Sequence, residues 1–203
     1  YPWNASEVDA VEACERSLRR LNTDRLDLYL LHWRGNIPLE ETIRAMELLQ
    51  QQGKIRHWGV SNFDVDDLDV LWQEPGGTGC ATNQVLYHLA SRGIEYDLLP
   101  DCQQRQIPVM AYCPLAQAGR LRQTLFSHPL VVQSAQQLNI SVAQLLLAWT
   151  IRRDGVIAIP KASSVAHVRD NAADLEVTLH DELLMALNQA FPPTPHKLAL
   201  DVV

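Results

Sequence analysis

The stretch LDLYLLHW, residues 26–33, gives the clearest indication of the class of fold. It is short and largely apolar on both of the faces that an extended chain presents, since side chains alternate along a strand. Strands of this kind are typical of parallel sheets that are covered by helices on both sides. We therefore predict a buried parallel strand here, in a protein of the α/β class.

The same pattern recurs along the chain and predicts four more strands, at residues 57–63, 81–87, 108–113 and 156–160. Segments with apolar residues at helical spacing predict helices at residues 6–20, 39–52, 64–72, 94–106, 129–138, 142–153, 165–175 and 181–191. Ser6 is the expected N-cap of the first helix, and Gly53 is expected just after the end of the second. This alternation indicates about five parallel strands joined by helical crossovers.

Two architectures fit the alternation, an open doubly wound sheet and a (β/α)8 barrel. The first loses its main support because no G-x-G-x-x-G motif follows a strand, and the glycine-rich residues 76–79 precede one and are predicted to form a loop. In barrels, active sites lie at the carboxyl ends of the strands. Polar residues at those ends are therefore the candidates for function.

Composition limits the classes of function. The 203 residues include 17 basic and 24 acidic ones, for a net charge of −7, and no basic run exceeds two residues, which argues against nucleic acid as the main partner. No apolar run approaches the ~18 residues of a membrane span. The four cysteines have neither CxxC nor zinc-site spacing. We expect reduced thiols, no metal site, no membrane partner and a cytoplasmic location.

Polar side chains stand at five successive strand ends: His32, Ser61 with Asn62, Asn83 with Gln84, Tyr112, and Lys161 with Ser163 and Ser164. Each group also has an ordinary structural explanation: a hydrogen-bonded histidine, a turn, paired amides, an aromatic at a strand end, or a helix N-cap. The functional explanations are chemical. A planar amide-bearing ligand would pair with buried amides, and a lysine with serines at a helix N-terminus suits a phosphate. Their joint occurrence, in order, favours one ligand site.

The motifs DLYLLHW, GKIRHWGVSNF, TNQVLYH, VMAYCPLA and VIAIPKASSVAHVRDNAA, in this order, resemble strands four to eight of the aldo-keto reductase family. The resemblance covers essentially the whole chain, and GVSNF combined with IPKASS and HVRDN is its most specific part. It implies an α/β fold, the (β/α)8 TIM barrel of that family, incomplete here with about five of eight parallel strands. On this expectation residues 1–203 form a single domain that lacks the first three βα units.

The resemblance also implies a site for NADP(H) across the carboxyl ends of the strands. His32 is the expected catalytic residue, orienting the substrate carbonyl and helping to set the pKa of the proton donor. The expected cofactor contacts are Ser61, Asn62 and Gln84 at the nicotinamide carboxamide, Tyr112 stacked on the nicotinamide ring, Leu115 beside the pyrophosphate, Lys161, Ser163 and His167 at the 2′-phosphate, and Asn171 at the adenine.

Two positions depart from the family pattern. Many relatives have Arg where His167 stands, which predicts a weaker or pH-dependent phosphate contact. Cys113 stands where Ser is common.

The proton donor is the larger departure. The family's Tyr, with its Asp and Lys, lies on strands one to three, which we expect to be absent from this sequence. Tyr87 is the only other candidate donor, because Tyr29 alternates away from His32 and Tyr112 is committed to stacking. The chain by itself is therefore expected to be inactive.

The leading hypothesis is NADPH-dependent reduction of a small aldehyde or ketone by a protein that is monomeric when full-length. The alternative is a non-catalytic cofactor-binding or regulatory module of the same fold, and a third candidate is an unrelated phosphate-binding barrel. Residues 33–36, residues 117–119 and the tail after Phe191 line the expected substrate pocket. The short tail favours small substrates.

Overall fold

A five-stranded sheet is the centre of the fold in the computed structural model, which describes residues 1–173 and 177–203. Its strands, in spatial order, are β1 Leu26–Leu31, β2 Ile55–Ser61, β3 Asn83–Leu86, β4 Val109–Tyr112 and β5 Val156–Ala158. Register is defined between β1 and β2, β2 and β3, and β4 and β5, and each of these pairs is parallel. The prediction of a parallel α/β sheet of about five strands is confirmed.

The described residues contain the helices α1 Glu7–Leu21, α2 Leu39–Gln51, α3 Val65–Gln73, α4 Leu98–Gln104, α5 Arg120–Phe126, α6 Pro129–Gln137, α7 Val142–Thr150, α8 Val165–Ala172 and α9 Asp181–Ala190. Short 3₁₀ helices lie at Pro2–Asn4, Gly77–Gly79 and Gly93–Glu95. Each of these helices is too short or too polar to cross a lipid bilayer. The chain divides into two compact units: unit 1 is residues 1–84 with 104–108, and unit 2 is residues 85–103 with 109–203.

In unit 1, the helix ends are set by residues that satisfy free backbone groups. Ser6 Oγ accepts a hydrogen bond from the Asp9 amide at 3.2 Å and caps α1. Gly53, with φ of 70°, follows α2 in the left-handed conformation. Both expectations are confirmed. The core of this unit includes Leu49 and Trp58, which are 0% and 2% exposed, between α2 and β2.

Helix α7 contributes a continuous run of buried residues to the core of unit 2. Ser141 and Gln144 form a capping box that starts this helix. Five consecutive residues of α7, from Leu145 to Trp149, are buried, so the helix is covered all round rather than on one face.

Some element boundaries differ from the sequence predictions. The predicted helix at 94–106 is a 3₁₀ turn followed by α4, and Pro100 lies in the first turn of α4, where no amide donor is needed. The last strand stops at Ala158, two residues before Pro160, which has no amide for the ladder. Helix α5 was not predicted, and the end of the predicted helix 165–175 falls at residues 174–175, outside the described residues.

The predicted loop at 76–79 contains a tight turn that requires glycine. A Cβ on Gly77 would lie 1.8 Å from the carbonyl oxygen of Leu71. This close approach of two backbone segments is possible only without a side chain, which explains the glycine at position 77.

Candidate functional site

The ends of β1, β2 and β3 in unit 1 are tied together by hydrogen bonds. His32 directly follows β1, and its backbone carbonyl accepts a hydrogen bond from Asn62 Nδ2 at 3.2 Å. The Asn62 amide donates to the Gln84 carbonyl at 2.9 Å, and Ser61 Oγ donates to the same oxygen at 2.8 Å. The structure therefore brings together four of the residues that the sequence singled out: His32, Ser61, Asn62 and Gln84, which we name the rim cluster.

Asn62 has a backbone conformation that matters for this arrangement. Its φ is 59°, in the left-handed region that few residues other than glycine adopt, although asparagine is among the most tolerant. The side chain and amide bonds to neighbouring strand ends hold it there. Ser61 and Asn62 are thus buried and partly committed to the backbone, at 2% and 8% exposed.

Asn83 has a structural role. It is fully buried, and its side-chain amide donates to the Phe63 carbonyl at 2.8 Å and accepts from the Phe63 amide at 3.4 Å. The buried amide therefore pairs with main chain rather than requiring a ligand, and that part of the sequence argument was wrong for Asn83. Gln84 is half-buried on the adjacent position of β3.

The His32 ring is exposed and lies among aromatic rings of unit 1. The Tyr1 ring meets it edge-on, with centroids 4.8 Å apart, and Trp33 lies 6.0 Å away. Partial desolvation lowers the pKa of the His32 imidazole from its ordinary value. The imidazole is therefore largely neutral near pH 7, with one ring N–H available as a hydrogen-bond donor.

In unit 2, Tyr112 ends β4 and is followed by the loop at residues 113–119. Burial raises the pKa of the half-buried Tyr112 phenol, whose hydroxyl hydrogen-bonds to the backbone of Val203. Leu115 is buried, and its carbonyl accepts a long 3.4 Å hydrogen bond from Arg122. Cys113 and Ala116 both have positive φ, at 51° and 62°, so the loop is held in an unfavourable backbone conformation.

The N-terminus of α8 carries the exposed side chains of Lys161, Ser163 and His167, and Asn171 is half-buried near its end. Ser164, rather than Ser163, is the N-cap: its Oγ accepts from the His167 amide at 3.2 Å. The structural explanation of these serines, a helix N-cap, therefore holds for Ser164. Ser163 lies just before the cap.

Tyr87 is not an available proton donor, which corrects the sequence interpretation. It is fully buried, its hydroxyl donates to Glu95 at 2.5 Å, and Arg152 donates to that hydroxyl at 2.9 Å. Burial, followed by the charge of Glu95, raises the pKa of Tyr87 far above the ordinary phenol value. We name Tyr87, Arg92, Glu95, Trp149 and Arg152, all in unit 2, the buried cluster.

Sequence reasoning missed His88, which lies two residues beyond the end of β3 and is fully buried. A signal was present, because His88 lies close to the carboxyl end of a strand, as His32 does after β1. The contacts within each unit leave untested the expectation that residues from all five strand ends form one cofactor site. That expectation stays a prediction.

Comparison with known proteins finds similar sequences along nearly the whole chain. The family model described as the aldo/keto reductase family matches residues 2–191. Methylglyoxal reductase YeaE of Escherichia coli (strain K12) is 63% identical over 203 residues, which are 100% of this chain and 72% of that protein. Glyoxal reductase of Bacillus subtilis (strain 168) is 36% identical, over 97% of this chain and 70% of that protein.

Solved structures agree with this match. An aldo-keto reductase from Klebsiella pneumoniae in complex with NADPH is 61% identical and has a TM-score of 0.98. The match covers 100% of this chain and 72% of that one. An aldo/keto reductase from the same organism, in complex with NADP and acetate, gives a TM-score of 0.97 at the same identity and coverage. The assignment of the five strands to barrel strands four to eight, and a proton donor outside these residues, stay predictions.

Proposed function

The chain belongs to the aldo/keto reductase family, and we propose that it serves NADPH-dependent reduction of a small aldehyde or ketone. The observation that carries the proposal is the match along the entire chain to reductases, one of them crystallised with NADPH. Two of the matched relatives are named for methylglyoxal and glyoxal. We therefore propose small dicarbonyl compounds as the first substrates to test. The non-catalytic alternative finds no support among these relatives.

The residues of unit 2 fit a phosphorylated dinucleotide. Lys161 is an exposed cation just before the N-terminus of α8. The free backbone N–H groups at that end of a helix also favour an anion. No acidic residue occurs between Pro160 and Arg169 to pair with a ribose diol. We assign Lys161, Ser163 and His167 to the 2′-phosphate. Asn171 is assigned to the adenine.

The nicotinamide end is assigned to other strand ends. Tyr112 offers a half-buried ring for stacking, Leu115 lies on the loop assigned to the pyrophosphate, and Ser61, Asn62 and Gln84 are assigned to the carboxamide. This assignment treats the five strands as strands four to eight of the family barrel. It rests on the order of the motifs.

The chain's own contribution to the chemistry centres on His32. When bound, the reduced nicotinamide supplies a hydride for the substrate carbonyl carbon. The exposed, largely neutral His32 ring donates a hydrogen bond to the carbonyl oxygen and so fixes its orientation. Asn62 supports this role by holding the His32 carbonyl at 3.2 Å, which anchors the backbone beneath the ring.

The test compares NADPH and NADH binding in Lys161→Ala, titrated by quenching of tryptophan fluorescence. Loss of a charge-assisted phosphate contact should weaken NADPH binding by roughly 1–3 kcal/mol and leave NADH binding nearly unchanged. Arg169→Ala is the control, because it removes a charge from the last turn of the same helix. Equal losses for the two cofactors would show that Lys161 does not read the phosphate.

A further inference from the structure

His88 is a buried imidazole whose two ring nitrogens are both engaged within unit 2. Nδ1 accepts a hydrogen bond from the Ala90 amide at 3.2 Å, and Nε2 lies 2.9 Å from Oε1 of Gln117. A nitrogen that accepts from an amide carries no proton, so the proton is on Nε2. The neutral ring therefore donates its one N–H to Gln117.

This ring connects two loops. On one side, His88 and Ser91 close a turn by reciprocal backbone hydrogen bonds of 3.3 and 2.9 Å. Ser91 Oγ in turn donates to Asp201 at 2.5 Å. On the other side, Gln117 belongs to the 113–119 loop, which also carries Leu115. His88 thus links two segments. One is the turn at residues 88–91, which binds Asp201, and the other is the 113–119 loop, which follows β4.

The 113–119 loop requires such a support. Cys113 and Ala116 are non-glycine residues in the left-handed region, and each such conformation persists only where surrounding contacts enforce it. The contact from Arg122 to the Leu115 carbonyl is long, at 3.4 Å. The bond from His88 to Gln117 is shorter and comes from a fully buried ring, so it is the firmer of the two side-chain supports.

We propose that His88 is a positioning residue for the cofactor: through Gln117 it holds the 113–119 loop in the conformation that binds the dinucleotide. The inference rests on the proposed function, in which Leu115 lies beside the pyrophosphate. A loop held ready before binding spends less of the binding free energy on ordering. His88 itself touches neither substrate nor cofactor in this scheme.

Two substitutions separate the two hydrogen bonds of the ring. His88→Gln keeps an amide donor near the position of Nε2 and loses the acceptor for Ala90. His88→Asn keeps an acceptor near the position of Nδ1 and cannot reach Gln117. We expect His88→Asn to raise the Kd for NADPH about fivefold to tenfold, as for one lost hydrogen bond, and His88→Gln to stay within about twofold.

Gln117→Leu provides an independent route, because Gln117 is half-buried and its removal leaves the buried ring in place. Gln117→Leu should have the same Kd for NADPH as His88→Asn. The double variant, which combines the two substitutions, should bind NADPH no more weakly than either single variant. Equal losses in His88→Asn and His88→Gln, or additive losses in the double variant, would overturn the proposal. A purely structural role would lower the melting temperature without this pattern in Kd.

The pH profile gives a second readout. The groups that face the ring are the Ala90 amide, the Gln117 amide and the carboxylate of Asp201. Burial lowers the pKa of His88, against smaller raising effects of Gln117 and Asp201. The stability that the neutral ring contributes is therefore present above the unfolded pKa and is lost as pH falls through the folded pKa.

Protonation would place a hydrogen on Nδ1 against the Ala90 N–H, so NADPH binding should weaken as the solution is acidified below the ordinary imidazole pKa. Because His167 is assigned to the 2′-phosphate, the series is run in a His167→Gln background, with and without His88→Gln. The difference between the two curves reports His88. Identical curves would contradict the proposal.

Amide hydrogen exchange of residues 115–119 completes the test without any cofactor. Exchange should be faster in His88→Asn than in His88→Gln, because only the former releases the loop. Equal exchange would remove the support role and leave the proposed function standing. Failure of the wild-type protein to bind NADPH, with the exchange difference present, would overturn the proposed function and the cofactor role of the loop together.

Discussion

The rim cluster of unit 1 and the buried cluster of unit 2 are both rich in polar side chains, yet they differ in what remains available. In the buried cluster, Glu95 accepts from Tyr87, Arg92 and Arg152 at 2.5 to 2.8 Å. Its carboxylate pairs with the guanidinium of Arg92, and both side chains are only 5% exposed. In the rim cluster, by contrast, the backbone atoms are bonded while the His32 ring is exposed.

The contrast between the two clusters shows that strong perturbation of a pKa does not by itself mark a reactive site. The largest shift among these residues belongs to Tyr87, a group that is enclosed and fully bonded. Perturbed groups also arise in structural ion-pair networks. What distinguishes His32 is an unenclosed ring on a rigidly bonded strand end, which is the arrangement that a substrate needs.

Glu95→Gln, in the buried cluster, is expected to have the largest effect on stability. The change removes one charge from a buried network and leaves Arg92 and Arg152 facing a neutral amide. Breaking one side of a buried pair costs about 3–5 kcal/mol, and we expect a loss of that order in the free energy of unfolding measured by urea denaturation. Glu12→Gln is the matched control, since its pair with Arg16 is exposed, at 62% for Glu12, and should change stability little.

The stability contributed by the buried cluster should also depend on pH. Burial opposes ionisation of Glu95, but hydrogen bonds from Arg92, Tyr87 and Arg152 outweigh it, and the pKa of Glu95 is lowered. The network's stability is therefore present above the unfolded carboxyl pKa and is lost as pH falls through the folded one. Glu95→Gln should lack this acid-dependent component. A variant as stable as the wild type at neutral pH would refute the structural role of the cluster.

His32→Ala is expected to reduce activity and to leave stability nearly unchanged, the reverse of Glu95→Gln. The kinetic predictions concern a protein that also carries the family's proton-donating Tyr. In it, loss of the donor that orients the carbonyl should lower kcat for NADPH-dependent reduction of methylglyoxal by about 10²–10³-fold. The free energy of unfolding should change little, because the ring is exposed and the bond from Asn62 ends on the His32 backbone carbonyl. His32→Gln restores an amide donor and should recover part of the rate. A stability loss comparable to that of Glu95→Gln would place His32 among the structural residues.

The sequence was informative where periodicity and strand order decide the outcome. Five apolar segments and the helices between them predicted the parallel sheet, and Ser6 and Gly53 marked helix ends that the structure confirms. The polar strand ends of unit 1 were also predicted, and His32, Ser61, Asn62 and Gln84 are joined by hydrogen bonds.

What could not be predicted depends on tertiary pairing. Asn83 seemed suited to a ligand because its partner, the Phe63 backbone, lies twenty positions earlier in the chain. Tyr87 was a candidate donor because nothing local shows that Glu95 and Arg152 enclose it. Periodicity assigns a face to a residue, but only the folded chain determines whether its polar atoms are already bonded.

The smallest expected effect belongs to Tyr87→Phe, which tests whether the buried cluster is structural alone. The phenol donates to Glu95 and accepts from Arg152, yet those two residues also bind each other directly, with 2.8 Å between Arg152 Nη2 and Glu95 Oε1. Losing the hydroxyl therefore removes hydrogen bonds without leaving either charge unpaired, and we expect about 1 kcal/mol of destabilisation. The Phe ring keeps the packing against Trp149, whose centroid lies 5.4 Å away. NADPH binding and the rate of carbonyl reduction should be unchanged, because the hydroxyl is enclosed and cannot reach a substrate. A fall in kcat at unaltered stability would return Tyr87 to the list of proton donors and contradict the distinction drawn between the two clusters.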